Sequence, residues 1–265
     1  MRAAVYKGNK QFEVEERPTP TAGLDEVVIR VKYCAICGTD VHCFLYDVSP
    51  PGTVMGHEYC GIVTDVGSTP SPWNVGDRVV GGGGISPIGR IVRETEARDK
   101  NHPRENFRER ASKVKSVGAY AEYKLLESWE PLPIPDNVTD EMASLCEPLA
   151  VAVHAIRLSR IKLGDHVAVL GAGPIGLFCL QVANAAGASS VIVSEPAVAR
   201  SRVARSLGAN EVLDPTVQDV ESEIVKLTNG KGPDVVLDCA GLGSTLNQAF
   251  NLVRRGGQVV LVAVP

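Results

Sequence analysis

A chain of 265 residues, 44% hydrophobic and 22% charged with a formal net charge of −4, has the composition of a globular protein of roughly two average domains. No run of eighteen apolar residues occurs, which excludes a spanning helix, and ample apolar content at modest charge excludes general disorder. The negative balance disfavours a nucleic-acid partner, the N-terminal residues lack the apolar core of a signal peptide, and seven cysteines in so long a chain suit a reducing, cytoplasmic setting better than a disulfide framework.

The first 85 or so residues read as short strands. Segments 26–34 (EVVIRVKYC) and 59–67 (YCGIVTDVG) are rich in β-branched residues and bounded by Gly, Pro and Asp, and 74–81 gives a turn and a further strand. With no long helical pattern between them, they predict an antiparallel barrel or sandwich. Residues 81–117 break the pattern. Four glycines at 81–84 disfavour a regular element, and the run 90–115 carries nine Lys/Arg against five Asp/Glu. It reads as a solvated loop or exposed helix, with an anion or partner site as the functional alternative.

A strand is expected over 118–126, and 131–136 (PLPIPD) is a stiff extended connector. Thr139 or Asp140 then caps a helix running through 143–160, bent or restarted near Pro148. Beyond 165, five short apolar runs begin near His166, Ser190, Glu211, Asp234 and Gln258, with helical patterns between them; the interval 219–228 holds a shorter helix. Alternating buried strands and helices predict a parallel sheet with crossovers.

The first of these strands leads directly into 171–176 (GAGPIG). Gly171, Gly173 and Gly176 match G-x-G-x-x-G, and a helix starts inside the match at Pro174 and Ile175. The first glycine makes a tight turn, the second admits a pyrophosphate and the third lets helix and strand pack closely. Glu195, at the end of the next strand, is the expected acceptor for the adenosine ribose hydroxyls and favours NAD over NADP, while Arg200 leaves NADP open. A bare glycine turn with a surface glutamate would not explain the order strand, fingerprint, helix, strand, acid.

Cys34, Cys37 and His42, then His57 and Glu58, then Cys146 and Glu147 offer side chains that zinc accepts. A single C-x-x-C without a second pair does not make a zinc ribbon, and by residue type alone Cys37 could be a small buried hydrophobe and Glu58 a surface charge.

Five stretches in order, CGTDVH (37–42), GHEYCGIV (56–63), VGDRV (75–79), EPLAVAVHA (147–155) and GAGPIGL (171–177), resemble the zinc-dependent medium-chain dehydrogenase/reductase superfamily, in particular its sorbitol, butanediol and threonine dehydrogenase branch. The resemblance implies an α/β chain with a GroES-like β-barrel catalytic domain over 1–152 and a Rossmann-type doubly wound domain over 153–265, incomplete at its C-terminus. It implies one catalytic zinc on Cys37, His57, Glu58 and Glu147, with the glutamates binding directly or through water. Thr39 would pass on the substrate proton, His42 would be the outer member of the relay, and the backbone from Val262 to Val264 would hold the nicotinamide carboxamide.

Two departures stand out. The family's four-cysteine zinc lobe has no counterpart, since 81–117 contains no cysteine and only His102 could ligate there. The family also continues past the final LVAVP, so the chain is expected to be a fragment or shortened product, with homo-oligomerisation expected of a full-length form. The implied activity is NAD-dependent oxidation of a secondary alcohol, diol or polyol. A zinc-free NAD(P) reductase and an inactive nucleotide-binding fragment remain as alternatives.

Overall fold

The computed structural model describes residues 1–67, 71–82 and 118–263. The glycine- and charge-rich segment from 83 to 117 and Val264 lie outside the described residues. The chain forms two units, Met1–Glu147 and Pro148–Pro265, so the division falls inside a helix slightly before the expected 152/153 boundary.

The first unit opens with a hairpin of β1 (Arg2–Gly8) and β2 (Gln11–Glu16). It continues with β3 (Glu26–Ala35), α1 (Gly38–Leu45), β4 (Glu58–Val66), β5 (Arg78–Gly82), β6 (Tyr123–Glu127), β7 (Leu132–Pro133) and α2 (Asp140–Ser144). The strands form an antiparallel sheet in the order β6-β3-β4-β5-β7. Alternate side chains Val27, Ile29, Tyr59, Val63, Val79 and Leu126 build its core, as period-two patterning requires. The strand expected over 118–126 is shorter. Residues 118–120 instead bond to the turn ahead of β4, with Gly118 N–H on Val54 O at 2.9 Å, Ala119 on Gly56 O at 2.8 Å and Tyr120 on Met55 O at 2.9 Å.

Thr139 caps α2, its hydroxyl accepting from the Met142 N–H at 3.2 Å. The expected restart near Pro148 is present: the helix breaks at Leu145 and resumes at Cys146. Pro148 sits buried in the first turn of α3 (Cys146–Leu158), where a missing N–H costs nothing.

The second unit alternates β8 (His166–Leu170), α4 (Pro174–Ala185), β9 (Ser190–Ser194), α5 (Val198–Ser206), β10 (Glu211–Leu213), α6 (Val220–Leu227), β11 (Val235–Asp238), α7 (Gly243–Leu252) and β12 (Gln258–Leu261). All strands are parallel, in the order β10-β9-β8-β11-β12. Val167, Val169, Val191, Val193 and Leu237 face the helices α3, α4 and α5, whereas Ala168, Leu170, Ile192 and Val236 face α6 and α7. The sheet is therefore doubly wound, and the strand order reverses between β8 and β11. That switch point opens a ligand crevice at the carboxyl ends of the strands. Among the described residues, no helix is long and apolar enough to cross a membrane.

Candidate active site

The register of β3 against β4 assembles the first cluster. Ala35 pairs with Glu58, so Cys37, two residues beyond the end of β3, meets His57 and Glu58 at the start of β4. The ligand atoms of Cys37, His57 and Glu58 all lie within 4.8 Å of one another. One thiol, one imidazole and one carboxylate converging this closely are a donor set that fits zinc. Glu58 is only 6% exposed, a burial that a carboxylate tolerates when it has a cationic partner.

Cys37 is also the N-cap of α1. Its Sγ accepts from the Thr39 N–H at 3.5 Å, and its own N–H donates to Asp40 Oδ2 at 3.0 Å. Burial pushes the Cys37 thiol up, and Thr39 pulls it down through its N–H and hydroxyl. A cation at the cluster would favour the thiolate. Glu147, in the first turn of α3, lies outside the tight group, yet it interacts with both neighbours. Burial raises its pKa most, His57 lowers it and Glu58 raises it.

Asp40 is a residue that the sequence reading passed over. It is 6% exposed and holds the cluster together from behind. Its carboxylate accepts from the Cys37 N–H, from the Gly56 N–H at 3.3 Å and from the Tyr120 hydroxyl at 2.9 Å, and it lies 3.7 Å from His57 Nδ1. A carboxylate behind a ligating histidine fixes the ring and raises its basicity. Gly56 must be glycine. Its φ is +94°, and an added Cβ would sit 2.7 Å from the Tyr120 ring and 2.9 Å from Cys34 Sγ. Asp40→Ala is therefore expected to weaken zinc retention about 10–100-fold, measured by chelator competition, while the ligands themselves remain.

Thr39 is exposed in the first turn of α1, and His42 lies three residues on, also exposed and edge-on to Tyr46 at 5.5 Å between centroids. No hydrogen bond links His42 to Thr39 among the described residues.

In the second unit the three fingerprint glycines have distinct physical reasons. Gly171 has φ +93°. Gly173 caps α4, and a Cβ there would meet nothing within 4 Å, so its backbone is open to approach. A Cβ on Gly176 would lie 2.0 Å from Gly171 O. Pro174 takes the first helical position and Ile175 follows.

Glu195 follows β9 and is 3% exposed. Its Oε2 accepts from the Ala172 N–H at 2.7 Å and Oε1 from the Ala197 N–H at 2.8 Å, so the carboxylate is fixed against the fingerprint turn. Arg200 Nη1, on α5, is 4.0 Å from Glu195 Oε2. Across the switch point, Asp238 Oδ1 ties down the loop after β11, accepting from the Ala240 N–H at 3.1 Å, the Gly241 N–H at 3.3 Å and the Thr245 hydroxyl at 3.0 Å. Its backbone carbonyl accepts from Val262 N–H at 2.9 Å and Ala263 N–H at 3.0 Å. Asp238 was also missed from sequence. An acid directly ending the apolar run 235–237 was the only trace of it in the sequence.

A thiolate–imidazole–carboxylate cluster on an antiparallel unit, joined in one chain to a doubly wound unit with a dinucleotide fingerprint, defines a metal-assisted, nucleotide-dependent oxidoreductase. Comparison with known proteins agrees. The family model for the alcohol dehydrogenase GroES-like domain matches residues 23–136, and that for zinc-binding dehydrogenases matches 174–265. Sorbitol dehydrogenase of Bacillus subtilis is 33% identical over all of this chain and 75% of its own length, and L-threonine 3-dehydrogenase of Pseudoalteromonas translucida is 34% identical over 94% of this chain and 73% of its own. The crystal structure of a zinc-binding dehydrogenase from Sinorhizobium meliloti bound to NADP superposes with a TM-score of 0.83 at 33% identity, covering 99% of this chain and 76% of that one. The chain belongs to the zinc-dependent medium-chain alcohol dehydrogenase family, and is an alcohol or polyol oxidoreductase that works with zinc and a nicotinamide cofactor.

Proposed function

We propose that the protein oxidises a secondary alcohol, diol or polyol to the ketone with NAD, releasing NADH and a proton, and that the reaction is reversible. The observation that carries this reading is the convergence of Cys37, His57 and Glu58 within 4.8 Å. These three, with Glu147 direct or water-linked, are the residues that would hold zinc. Bound there, zinc would supply Lewis-acid polarisation of the substrate hydroxyl, of the kind that takes water's pKa from about 15.7 to about 7, and the nicotinamide would accept the hydride.

The chain's own residues have separate tasks. Thr39 is held at the cluster by its N–H on Cys37 Sγ, and its exposed hydroxyl accepts the proton leaving the substrate. His42 lies on the same face of α1 three residues further on, at the solvent side, suited to pass that proton outward. Gly171, Gly173 and Gly176 admit the pyrophosphate to the N-terminus of α4, whose free N–H groups favour it. Val262 supplies backbone for the carboxamide.

Glu195 supports NAD. Its carboxylate is locked in place by two N–H groups, yet each oxygen keeps a lone pair for a ribose hydroxyl, and a 2′-phosphate beside it would be repelled. The S. meliloti relative was crystallised with NADP, so the preference is tested directly here. With zinc-loaded protein, NADH formation from sorbitol, 2,3-butanediol and L-threonine should exceed NADPH formation in kcat/KM. No turnover with either nucleotide on the panel would overturn the reading. Glu195→Ala should shift the NAD:NADP ratio toward NADP by about tenfold, the effect of roughly 1.4 kcal/mol of lost discrimination. An unchanged ratio would mean that Glu195 does not touch the ribose.

A further inference from the structure

The nucleotide crevice lies at the carboxyl ends of the strands. At the opposite end of the same sheet, a cavity of about 360 Å³ is lined by His166, Thr228, Asn229, Lys231, Gly232, Asp234 and Arg254. His166 begins β8, Asp234 immediately precedes β11, Arg254 follows α7, and 228–232 is the turn after α6. The volume falls within the range of small-molecule sites, about 300–1,000 Å³.

The cavity walls are fixed by their own bonds. The Thr228 side chain is buried, and its hydroxyl donates to Ile224 O at 2.7 Å and accepts from the Gly232 N–H at 3.0 Å. The Asp234 carboxylate is already committed, with Oδ2 accepting from the His166 N–H at 2.8 Å and Oδ1 from Arg254 Nε at 2.5 Å. Burial would raise the Asp234 pKa, but those two donors hold it below the usual carboxylate range, so the acid stays ionised and paired. The His166 ring is oriented through Nδ1, which lies 2.7 Å from Ser190 Oγ.

Two cationic donors are left over. Lys231 is exposed and has no side-chain partner among the described residues, and Arg254 keeps Nη2 free after its bonds to Asp234 and Arg255 O. His166 keeps Nε2. With one carboxylate spent on Arg254, the lining carries a net positive charge and two unpaired cationic donors, Lys231 and Arg254, around one concavity. Such a lining recognises a compact oxyanion, since a lysine point charge and a guanidinium edge are the usual phosphate partners.

We propose that this cavity, remote from the fingerprint turn, binds a phosphate group, either free or carried by a small phosphate monoester. The site stands independently of the catalytic reading, because none of its residues belongs to the metal cluster or the fingerprint.

Backbone amide NMR of the full chain, titrated with inorganic phosphate and separately with glycerol 3-phosphate at constant ionic strength, tests this. Saturable shifts at 228–232, Asp234 and His166 are expected, weakened about tenfold or more in Lys231→Glu, which reverses an unpartnered charge. Tighter binding of the ester than of phosphate assigns the site to monoesters, and equal or tighter binding of phosphate assigns it to the free ion. Absence of saturable shifts with either probe, or shifts unchanged in the variant, would overturn the proposal. Should Lys231→Glu fail to fold, as its amide spectrum would reveal, Lys231→Gln reads the same loss.

Discussion

Cys37→Ser is expected to reduce kcat/KM for alcohol oxidation by at least about a thousandfold, which requires the loss of only about 4 kcal/mol of transition-state stabilisation. The substitution separates the two roles of this residue. Cys37 caps α1 through a sulfur that accepts the Thr39 N–H at 3.5 Å. A serine hydroxyl is a better N-cap than a thiol, so the metal-free variant should be as stable as the metal-free parent, or more so. What it loses is the thiolate beside His57 and Glu58. The expected result is therefore a folded protein with an unchanged or raised metal-free melting temperature, little retained zinc and almost no turnover. Unimpaired turnover would remove Cys37 from the metal site.

Gly176→Ala should have the largest effect in the second unit. The new Cβ would lie 2.0 Å from Gly171 O, a backbone atom that cannot swing aside, so α4 must move away from β8. Overpacking of this kind costs about 1–3 kcal/mol of stability. It also displaces the helix N-terminus from the pyrophosphate, so NAD affinity should fall at least about tenfold, by roughly 1.4 kcal/mol. Gly173→Ala is the control. Its Cβ meets no atom within 4 Å, so stability should hold while nucleotide affinity falls, because the methyl occupies the approach to the phosphates. Calorimetric melting and NAD titration of the pair separate the two effects. Equal melting losses in both variants would contradict the distinct roles assigned to the two glycines.

The doubly wound unit was legible because its information is local. Each strand is a short β-branched run, each helix has its own period, and the fingerprint is contiguous from Gly171 to Gly176. The metal cluster was legible only as residue types. What brings Cys37 to His57 and Glu58 is the pairing of Ala35 with Glu58, a register that no local pattern encodes.

Asp40 and Asp238 escaped for a related reason. An acid in the first turn of a helix, or at the end of a strand, reads as an ordinary cap or surface charge until its partners are known. For Asp40 those partners come from distant segments, Gly56 and Tyr120, whereas for Asp238 they lie just downstream, at Ala240, Gly241 and Thr245, in a loop whose course only the fold shows. The helix restart near Pro148 was legible from the proline, but its position at Cys146 was not, because a proline is tolerated anywhere in a helix's first turn and the sequence alone does not say where that turn begins. The cavity beneath the sheet was invisible for the same reason as the cluster, since its lining is drawn from residues 166, 228–234 and 254.

The central claim is that one thiolate, one imidazole and carboxylate oxygen together hold zinc in this chain. X-ray absorption at the zinc edge of the loaded protein tests it most directly. The expected spectrum has a single sulfur at about 2.3 Å and the remaining nitrogen and oxygen ligands at about 2.0–2.2 Å, at one zinc per chain. A shell of several sulfurs, or a chain that keeps no zinc after dialysis, would contradict it.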